Sequence, residues 1–422
     1  MKKVITYGTY DLFHQGHYNL LKRAKDMGDF LIVGVTADAF DLARGKINVQ
    51  QTLMERIEAV KNTGLANEII VEEYEGQKID DILRYNVDVF TVGSDWVGKF
   101  DYLKEYCEVV YLPRTEGISS SELRATQRRI RLKLIGEEKY YTKLQEECSF
   151  VNGIDVVGDD SDYDAVYMIS HPARHYNEIK TELLKGKHVL CESPIALSVN
   201  ECKELVELSK QQQCVLMSGL KTAYSMAFAR LCLLVKSGRI GNVLSVDATC
   251  TSLQEINKLG KEELNKTWNS LCAWGSFAML PVFQILGTHY KRKHIYSKII
   301  DKESHFDAFT KISFLYDHAV ASIKVGKGIK SEGELVISGT KGYIYVPAPW
   351  WKTDYFELRF ENPENNKRYF YQLDGEGIRY ELVSFVKAIQ LKSTYSLLNE
   401  EVTFAIVKIM EDFYNNVDVS EL

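Results

Sequence analysis

The 422-residue chain is short of three things: excess positive charge, paired cysteines and apolar runs of membrane-spanning length. Its net charge is −6, from 52 Lys and Arg against 58 Asp and Glu. No nucleic-acid footprint is expected of the whole chain, because such footprints need clustered basic charge. Any anion site therefore has to be local. The eight cysteines are scattered without a CxxC pair. They read as reduced, mostly buried thiols. No stretch reads as a bilayer span or a secretory signal, so membrane insertion is not expected and the cytoplasm is the expected location. Internal repeats and low-complexity tracts are absent too. What remains is ordinary globular composition, 45% hydrophobic and 26% charged, with length for two or three domains.

The most informative stretch is Gly8-Thr9-Tyr10-Asp11-Leu12-Phe13-His14-Gln15-Gly16-His17. Lys3 to Tyr7 reads as a buried first strand, and Gly8 to Asp11 as a tight turn. From Gly16 the spacing turns helical, with Leu20, Leu21 and Ala24 on one face and Lys22, Arg23 and Lys25 on the other. Two histidines thus stand where a strand hands over to a helix N-terminus. Free N–H groups and the positive dipole end collect anions there, and Gly16 permits close approach of a phosphate.

Strand and helix then alternate to about residue 129. Strands are expected at Phe30–Val35, Glu68–Val71, Val87–Val92 and Glu108–Leu112, and helices at Glu55–Thr63 and Ile79–Tyr85. That alternation predicts a parallel sheet covered on both faces, with ligands at the carboxyl ends of its strands. Three further clusters fall on the loops: Arg44-Gly45-Lys46, a basic pair able to hold a phosphate; Gly93-Ser94-Asp95-Trp96, where a base can be held; and Arg114-Thr115-Glu116-Gly117-Ile118-Ser119-Ser120, which ends in a helix-capping pattern.

With Val4 to Thr9, Asp95-Trp96 followed by Gly98 to Asp101, and Tyr111 to Ser119, the segment from Lys2 to about Arg124 resembles glycerol-3-phosphate cytidylyltransferases of the HxGH nucleotidylyltransferase superfamily. The resemblance implies catalytic roles for His14, His17, Arg114 and Lys46. It implies that Thr9, Tyr10, Asp11, Gly16, Asp95, Trp96, Arg114, Thr115, Ser119 and Ser120 bind the nucleotide. Arg44, Lys46 and Arg56 would meet the acceptor phosphate, and Mg²⁺ would bridge the triphosphate. Ile47 to Leu53 departs from the usual acceptor loop, so the acceptor need not be glycerol phosphate.

From Tyr163 the chain resembles the glucose-fructose oxidoreductase / inositol dehydrogenase family. The signal is carried by Asp164 to Ile169, Gly186 to Pro194, Ser237 to Gly241, Gly339 to Gly342 and Gly375 to Glu381. It implies a Rossmann-like domain, then an α/β domain whose open sheet commonly serves oligomer contacts. The catalytic positions depart from that family. Ser193 stands at its lysine, and Met279 and Phe283 at its proton-transferring pair. The dinucleotide fingerprint is degraded as well, reading Gly136-Glu137-Glu138-Lys139-Tyr140-Tyr141. Between Ile130 and Val166 there is room for little more than one βαβ unit, so the first nucleotide-binding half is shortened. NAD(P) binding is doubtful on these grounds. His171, Arg174, His175, Lys221 and Tyr224 are polar groups available to a cleft.

The expected architecture is α/β throughout: a Rossmann-like parallel-sheet nucleotidylyltransferase domain over 1–129, a shortened Rossmann-like domain over 130–246, and an open-sheet α/β domain over 247–422. The expected reaction joins CTP to a polyol or sugar phosphate in an oligomeric enzyme, giving a CDP-activated product for surface glycopolymers such as teichoic acid or capsule. The alternative is a bifunctional enzyme that also reduces or oxidises its sugar with NAD(P). A third class is a regulatory fusion whose second half senses a nucleotide or sugar.

Overall fold

The computed structural model describes residues 1–43, 46, 48–74, 76–113, 129–371, 373–390 and 398–422. The chain forms two compact units, Met1–Arg128 and Arg129–Leu422.

In the first unit the described strands are β1 (Lys3–Gly8), β2 (Phe30–Thr36), β3 (Glu68–Glu72), β4 (Val89–Gly93) and β5 (Glu108–Leu112). All pair in parallel, in the order β3-β2-β1-β4-β5. Side chains alternate across the sheet. Val4, Leu31, Val33 and Val89 accordingly pack on one face with Leu21 of α1 (Gln15–Lys25), and Ile5, Ile32 and Phe90 pack on the other with Ile82. β1 lies between β2 and β4, so its carboxyl end is the topological switch point where ligands of open α/β sheets sit. Helices α2 (Asp38–Ala43), α3 (Leu53–Asn62) and α4 (Gln77–Tyr85) follow strands at this same edge. α3 starts two residues before the expected Glu55. Thr52 and Glu55 form a capping box there, satisfying the first orphan N–H groups.

The second unit opens with a parallel sheet of β6 (Ile130–Gly136), β7 (Ile154–Val157), β8 (Ala165–Ile169), β9 (His188–Glu192) and β10 (Leu216–Gly219), ordered β10-β9-β8-β6-β7. Only α5 (Tyr141–Ser149) stands between β6 and β7, and no described helix joins β7 to β8. The dinucleotide-binding order 3-2-1-4-5-6 carries three strands before its switch point. This one has two, so its first half is shortened as expected. After α6 (Pro172–Leu184), α7 (Val199–Gln211) and α8 (Met226–Lys236), a mixed sheet follows whose described strands number nine. Its centre is β11 (Val243–Thr251), and its edge strand β19 (Val419–Glu421) lies beside β12 (Arg292–Asp301).

One correction concerns apolar runs. After the short α9 (Lys261–Lys266) comes α10 (Ser270–Leu286). The stretch Lys261–Leu286 has the length and mean hydropathy, 1.2, of a membrane span, and 67% of that apolar window is buried within the protein. α10 is apolar on nearly every face because it packs on β11, β13 (Phe306–Leu315) and β14 (Val320–Gly326), and also on α12 (Glu400–Tyr414). The described cysteines are all free thiols, and all but the half-buried Cys107 are buried.

Inside this unit Tyr167 Oη lies 2.8 Å from Glu192 Oε1 and 3.0 Å from Glu381 Oε1, the latter on α11 (Ile378–Gln390). A phenol donates one proton, so the second carboxyl has to bring its own. Burial raises the pKa of both carboxyls above the ordinary range. For acids raised in the folded state, stability is greatest in acid and is lost as pH rises through the folded-state value. Stability should therefore fall as pH rises above the ordinary carboxylate range, and Glu381→Gln should flatten that fall. Denaturant unfolding across that rise in pH checks it; an unchanged slope in the variant contradicts it.

Candidate active site

At the end of β1 the chain turns through two left-handed residues, Tyr10 (φ 54°) and Leu12 (φ 48°). The Tyr10 ring folds back over Gly8, where a Cβ would lie 2.9 Å from it. Glycine is therefore required at that position. The Asp11 carboxylate accepts N–H bonds from Gln50 (3.0 Å) and Gln51 (2.9 Å), while the Gln51 side chain accepts from Leu12 N (2.7 Å). Asp11 is 3% exposed. It borders the cavity, and its carboxylate ties the turn to the loop before α3.

His14 caps α1, its Nδ1 accepting the Gly16 N–H at 3.0 Å. With Nδ1 accepting, the neutral ring carries its proton on Nε2. The same bond engages the Gly16 amide, so the expected approach of a phosphate to that N–H is replaced by an internal cap. The His14 and His17 rings stack with centroids 3.9 Å apart. Burial first, then His14 and Lys46, lowers the His17 pKa to about 3. Its Nδ1 is buried without a hydrogen-bond partner among the described residues.

Lys46 Nζ donates to Thr9 Oγ1 (2.8 Å), and Thr9 Oγ1 donates to Asp41 Oδ1 (2.9 Å). Lys46 Nζ also stands 3.8 Å from Asp41. Arg56 is placed differently from the acceptor-contact role the resemblance implies. Its side chain is fully buried. It donates to the carbonyls of Thr9 (2.6 Å), Thr36 (2.8 Å) and Gln51 (3.2 Å), and pairs with Asp38 and Asp41. Every one of these partners is internal, so Arg56 braces the site from beneath.

Thr9, Tyr10, Asp11, His17, Lys46, Asp95 and Trp96 border a cavity of about 450 Å³; His14, Asp41 and Arg56 stand behind this wall and do not line it. Asp95 and Trp96 lie on the turn after β4, and Trp96 leans on Phe100 with ring centroids 5.7 Å apart. Arg44, Arg114, Thr115, Ser119 and Ser120 lie outside the described residues.

The sequence reading missed Asp41 and Lys78. Lys78 is nearly buried on the cavity wall, paired with Glu72, whose other oxygen accepts from Thr36 Oγ1 (2.7 Å). Its Nζ lies 4.8 Å from the Tyr7 ring centre and 5.4 Å from that of Phe100. A signal was present. Lys78 sits in the first turn of α4, where the helix dipole disfavours a cation.

In the second unit, Ser193 Oγ donates to Ser276 Oγ at 3.0 Å, and Met279 and Phe283 are buried. A Cβ at Gly136 would lie 2.5 Å from the backbone of Ile169 and Ser170, so this glycine serves the approach of β6 to β8. Glu137 follows it, paired with Lys139. Glu137 and Glu138 thus follow the turn at which folds of this type carry a dinucleotide's pyrophosphate. The polar cleft candidates all have internal partners. His171 caps α6, and both His175 ring nitrogens meet carbonyls, of Pro194 and Ser170. Arg174 faces Glu178, Lys221 pairs with Glu376, and Tyr224 donates to Ser218 O.

A stacked histidine pair and a lysine at the switch point of a five-stranded parallel sheet define an α/β enzyme that handles a nucleotide's phosphates. Residues 5–126 match the family described as cytidylyltransferase-like, and residues 123–220 the oxidoreductase family with an NAD-binding Rossmann fold. The chain is 52% identical over 124 residues to the glycerol-3-phosphate cytidylyltransferase of Bacillus spizizenii, covering 29% of this chain and 95% of the relative. It is 48% identical over 128 residues to that of Staphylococcus aureus, covering 29% and 93%. Over 265 residues it is 26% identical to a scyllo-inositol 2-dehydrogenase (NADP⁺) of Bacillus subtilis, covering 59% and 76%. The fold of the second unit is shared with a 3-ketoreductase from Actinomadura kijaniata solved with NADP and TDP-benzene (TM-score 0.58, 12% identity, covering 70% of this chain and 99% of that one). The chain belongs to the glycerol-3-phosphate cytidylyltransferase family through its first unit, which is joined to a module of the glucose-fructose oxidoreductase / inositol dehydrogenase type. It is a nucleotidyltransferase with cytidylyltransferase activity, acting on CTP and a phosphorylated substrate.

His17 of the substrate-free protein should remain neutral until pH falls close to about 3. Because its folded-state pKa is depressed, the unfolded chain binds more protons between that value and 6.5. The stability it contributes is full above 6.5 and is lost as pH falls toward 3. An NMR titration of the histidine ring resonances checks this; a His17 midpoint near 6.5 contradicts it.

Proposed function

We propose that the first unit transfers CMP from CTP to a polyol or sugar phosphate, releasing pyrophosphate and a CDP-activated product for surface glycopolymer synthesis. The observation that carries this reading is the stacked His14–His17 pair at the switch point, beside Lys46 and a nucleotide-sized cavity. An oxygen of the acceptor phosphate attacks the α-phosphorus in line, and the bond to the β-phosphate bridging oxygen breaks. Such transfers need positioning and preorganised positive donors more than covalent help. His14 Nε2–H donates to an α-phosphate oxygen as charge builds. His17, held against it and desolvated, gives a second donor whose proton is not already committed to the protein. Lys46, oriented by Thr9 and Asp41, meets the incoming phosphate. Asp95 and Trp96 hold the cytosine. Arg114, Thr115, Ser119 and Ser120 hold the β- and γ-phosphates, and Arg44 the acceptor. Mg²⁺ on the triphosphate neutralises charge when bound. Among the described residues no three acidic, His or Cys side chains gather to cage a metal. That donor set suits an ion carried chiefly by substrate phosphates and water. An oligomeric, cytoplasmic enzyme is part of the same proposal.

For the second unit we propose a packing and assembly role without hydride transfer, because Ser193, Met279 and Phe283 offer no acid beside a carbonyl. The alternative, a bifunctional enzyme that also reduces a CDP-linked or phosphorylated keto sugar with NAD(P), is favoured by the family match over 123–220 and by the likeness to the inositol dehydrogenase.

His14→Ala and His17→Ala should each lower kcat by about 10² to 10³-fold with the fold intact, as loss of a charge-stabilising donor does. Pyrophosphate release, with circular dichroism as the fold control, checks this; a double variant at near wild-type turnover refutes it. CTP should exceed ATP, UTP and GTP in kcat/KM; a preference for ATP would move the protein to the adenylyl-transferring relatives. Incubation with NADH or NADPH and CDP-linked keto sugars should leave the cofactor unoxidised. Stoichiometric oxidation with a product two mass units heavier would establish the bifunctional alternative.

A further inference from the structure

A second cavity, of about 330 Å³, adjoins the first and shares Lys46, Lys78, Trp96 and Phe100 with it. Beyond these its walls are Phe40, Tyr74, Gly76, Lys99 and Tyr102. Three lysines border it and no carboxylate among its described lining residues does; Lys46 and Lys78 are backed by Asp41 and Glu72 outside that lining and Lys99 adds a further positive charge, so it favours an anionic ligand. Its other walls are aromatic. Tyr74, Trp96 and Tyr102 are 49%, 41% and 47% exposed, a concentration of uncovered rings that a ligand would bury.

The first cavity already has the size that a nucleotide-sized ligand fills, so the second is not needed for CTP. Resting on the cytidylyl-transfer reading above, we infer that this side cavity receives the carbon chain of the acceptor, and that the acceptor is a five- or six-carbon polyol or sugar phosphate. Its phosphate lies at Lys46 and Lys78, the two cations common to both cavities. Its chain runs past Lys99 between the rings of Tyr74, Trp96 and Tyr102. At about 330 Å³ the side cavity by itself reaches the lower size of a small-molecule pocket, more than the three carbons of a glycerol phosphate need beyond their phosphate. Aromatic faces suit the C–H faces of a longer chain, and the tyrosine hydroxyls and the Lys99 amine suit its hydroxyls. Tyr74 Oη already donates to Asp80 at 2.7 Å, so that ring is held in place before any ligand arrives. Asn48 and Val49, within the segment that departs from the usual acceptor loop, line the first cavity together with Lys46.

The test measures pyrophosphate release by the full chain at saturating CTP with glycerol 3-phosphate, ribitol 5-phosphate, and mannitol and glucose phosphates as acceptors. At least one five- or six-carbon acceptor should exceed glycerol 3-phosphate tenfold or more in kcat/KM. In Tyr102→Ala and Tyr74→Ala that ratio should collapse toward one, through the KM of the longer acceptor. The ratio is read within one preparation, so partial misfolding of a variant does not change it. Preference for glycerol 3-phosphate in the wild type, or a ratio unchanged in both variants, overturns the inference while cytidylyl transfer stands. A rise in the KM of CTP in place of the acceptor effect would put the nucleotide in the side cavity and overturn it too. Absence of pyrophosphate release with every acceptor refutes the cytidylyl-transfer reading and this inference with it.

Discussion

Arg56 is a guanidinium with no solvent, and the geometry at the end of β1 rests on how its charge is satisfied. Desolvating a cation is expensive, and removing a partner from a buried pair typically costs about 3 to 5 kcal/mol. Here two carboxylates and three backbone carbonyls meet it. Those carbonyls belong to the end of β1, the end of β2 and the loop before α3. One side chain thus locks three segments of the switch point together. Asp41 extends the lock upward, since it also takes the Thr9 hydroxyl and faces Lys46. The lysine at the cavity mouth is aimed by the same acid that neutralises the arginine below.

That arrangement separates structural charge from reactive charge. Arg56 and Asp11 are buried and saturated with internal partners. His14 spends one nitrogen on capping its own helix. His17 is desolvated into neutrality and stacked on it. A site built to receive a highly charged triphosphate gains from neutral donors beforehand, because an imidazole kept neutral by burial can donate without first shedding a counter-ion.

In the second unit, residues at the motif positions of the oxidoreductase type have internal partners. Gly136 is held by contact with the backbone of Ile169 and Ser170. Ser193 bonds Ser276, tying the strand-end loop to the helix that would carry catalytic groups. Glu192 and Glu381 meet at Tyr167, joining the parallel sheet to the helix α11 that closes the unit. These contacts are internal to the fold and leave it able to present its large mixed sheet.

Local pattern made the strands of the first sheet, the helix after Gly16 and the shortened βαβ unit legible, because hydrophobic period and turn chemistry are properties of neighbouring residues. The histidine pair was legible for the same reason, since a helix N-cap and the third residue after it sit at one helix end. Arg56 was legible as an arginine but not as a buried one, because its partners Asp38, Thr9 and Gln51 come from separate segments. Asp41 went unseen for that reason, and Lys78 left only the local trace of a cation in the first turn of α4, which by itself marks no cavity. The apolar helix α10 carried the composition of a membrane span, and only the sheet and helix around it show that its apolar faces meet protein. Sequence by itself determined which elements form and which chemistry the first turn can do. Tertiary structure decided which charges are spent on the fold and which face the cavity, because desolvation and pairing depend on groups brought together across long stretches of chain.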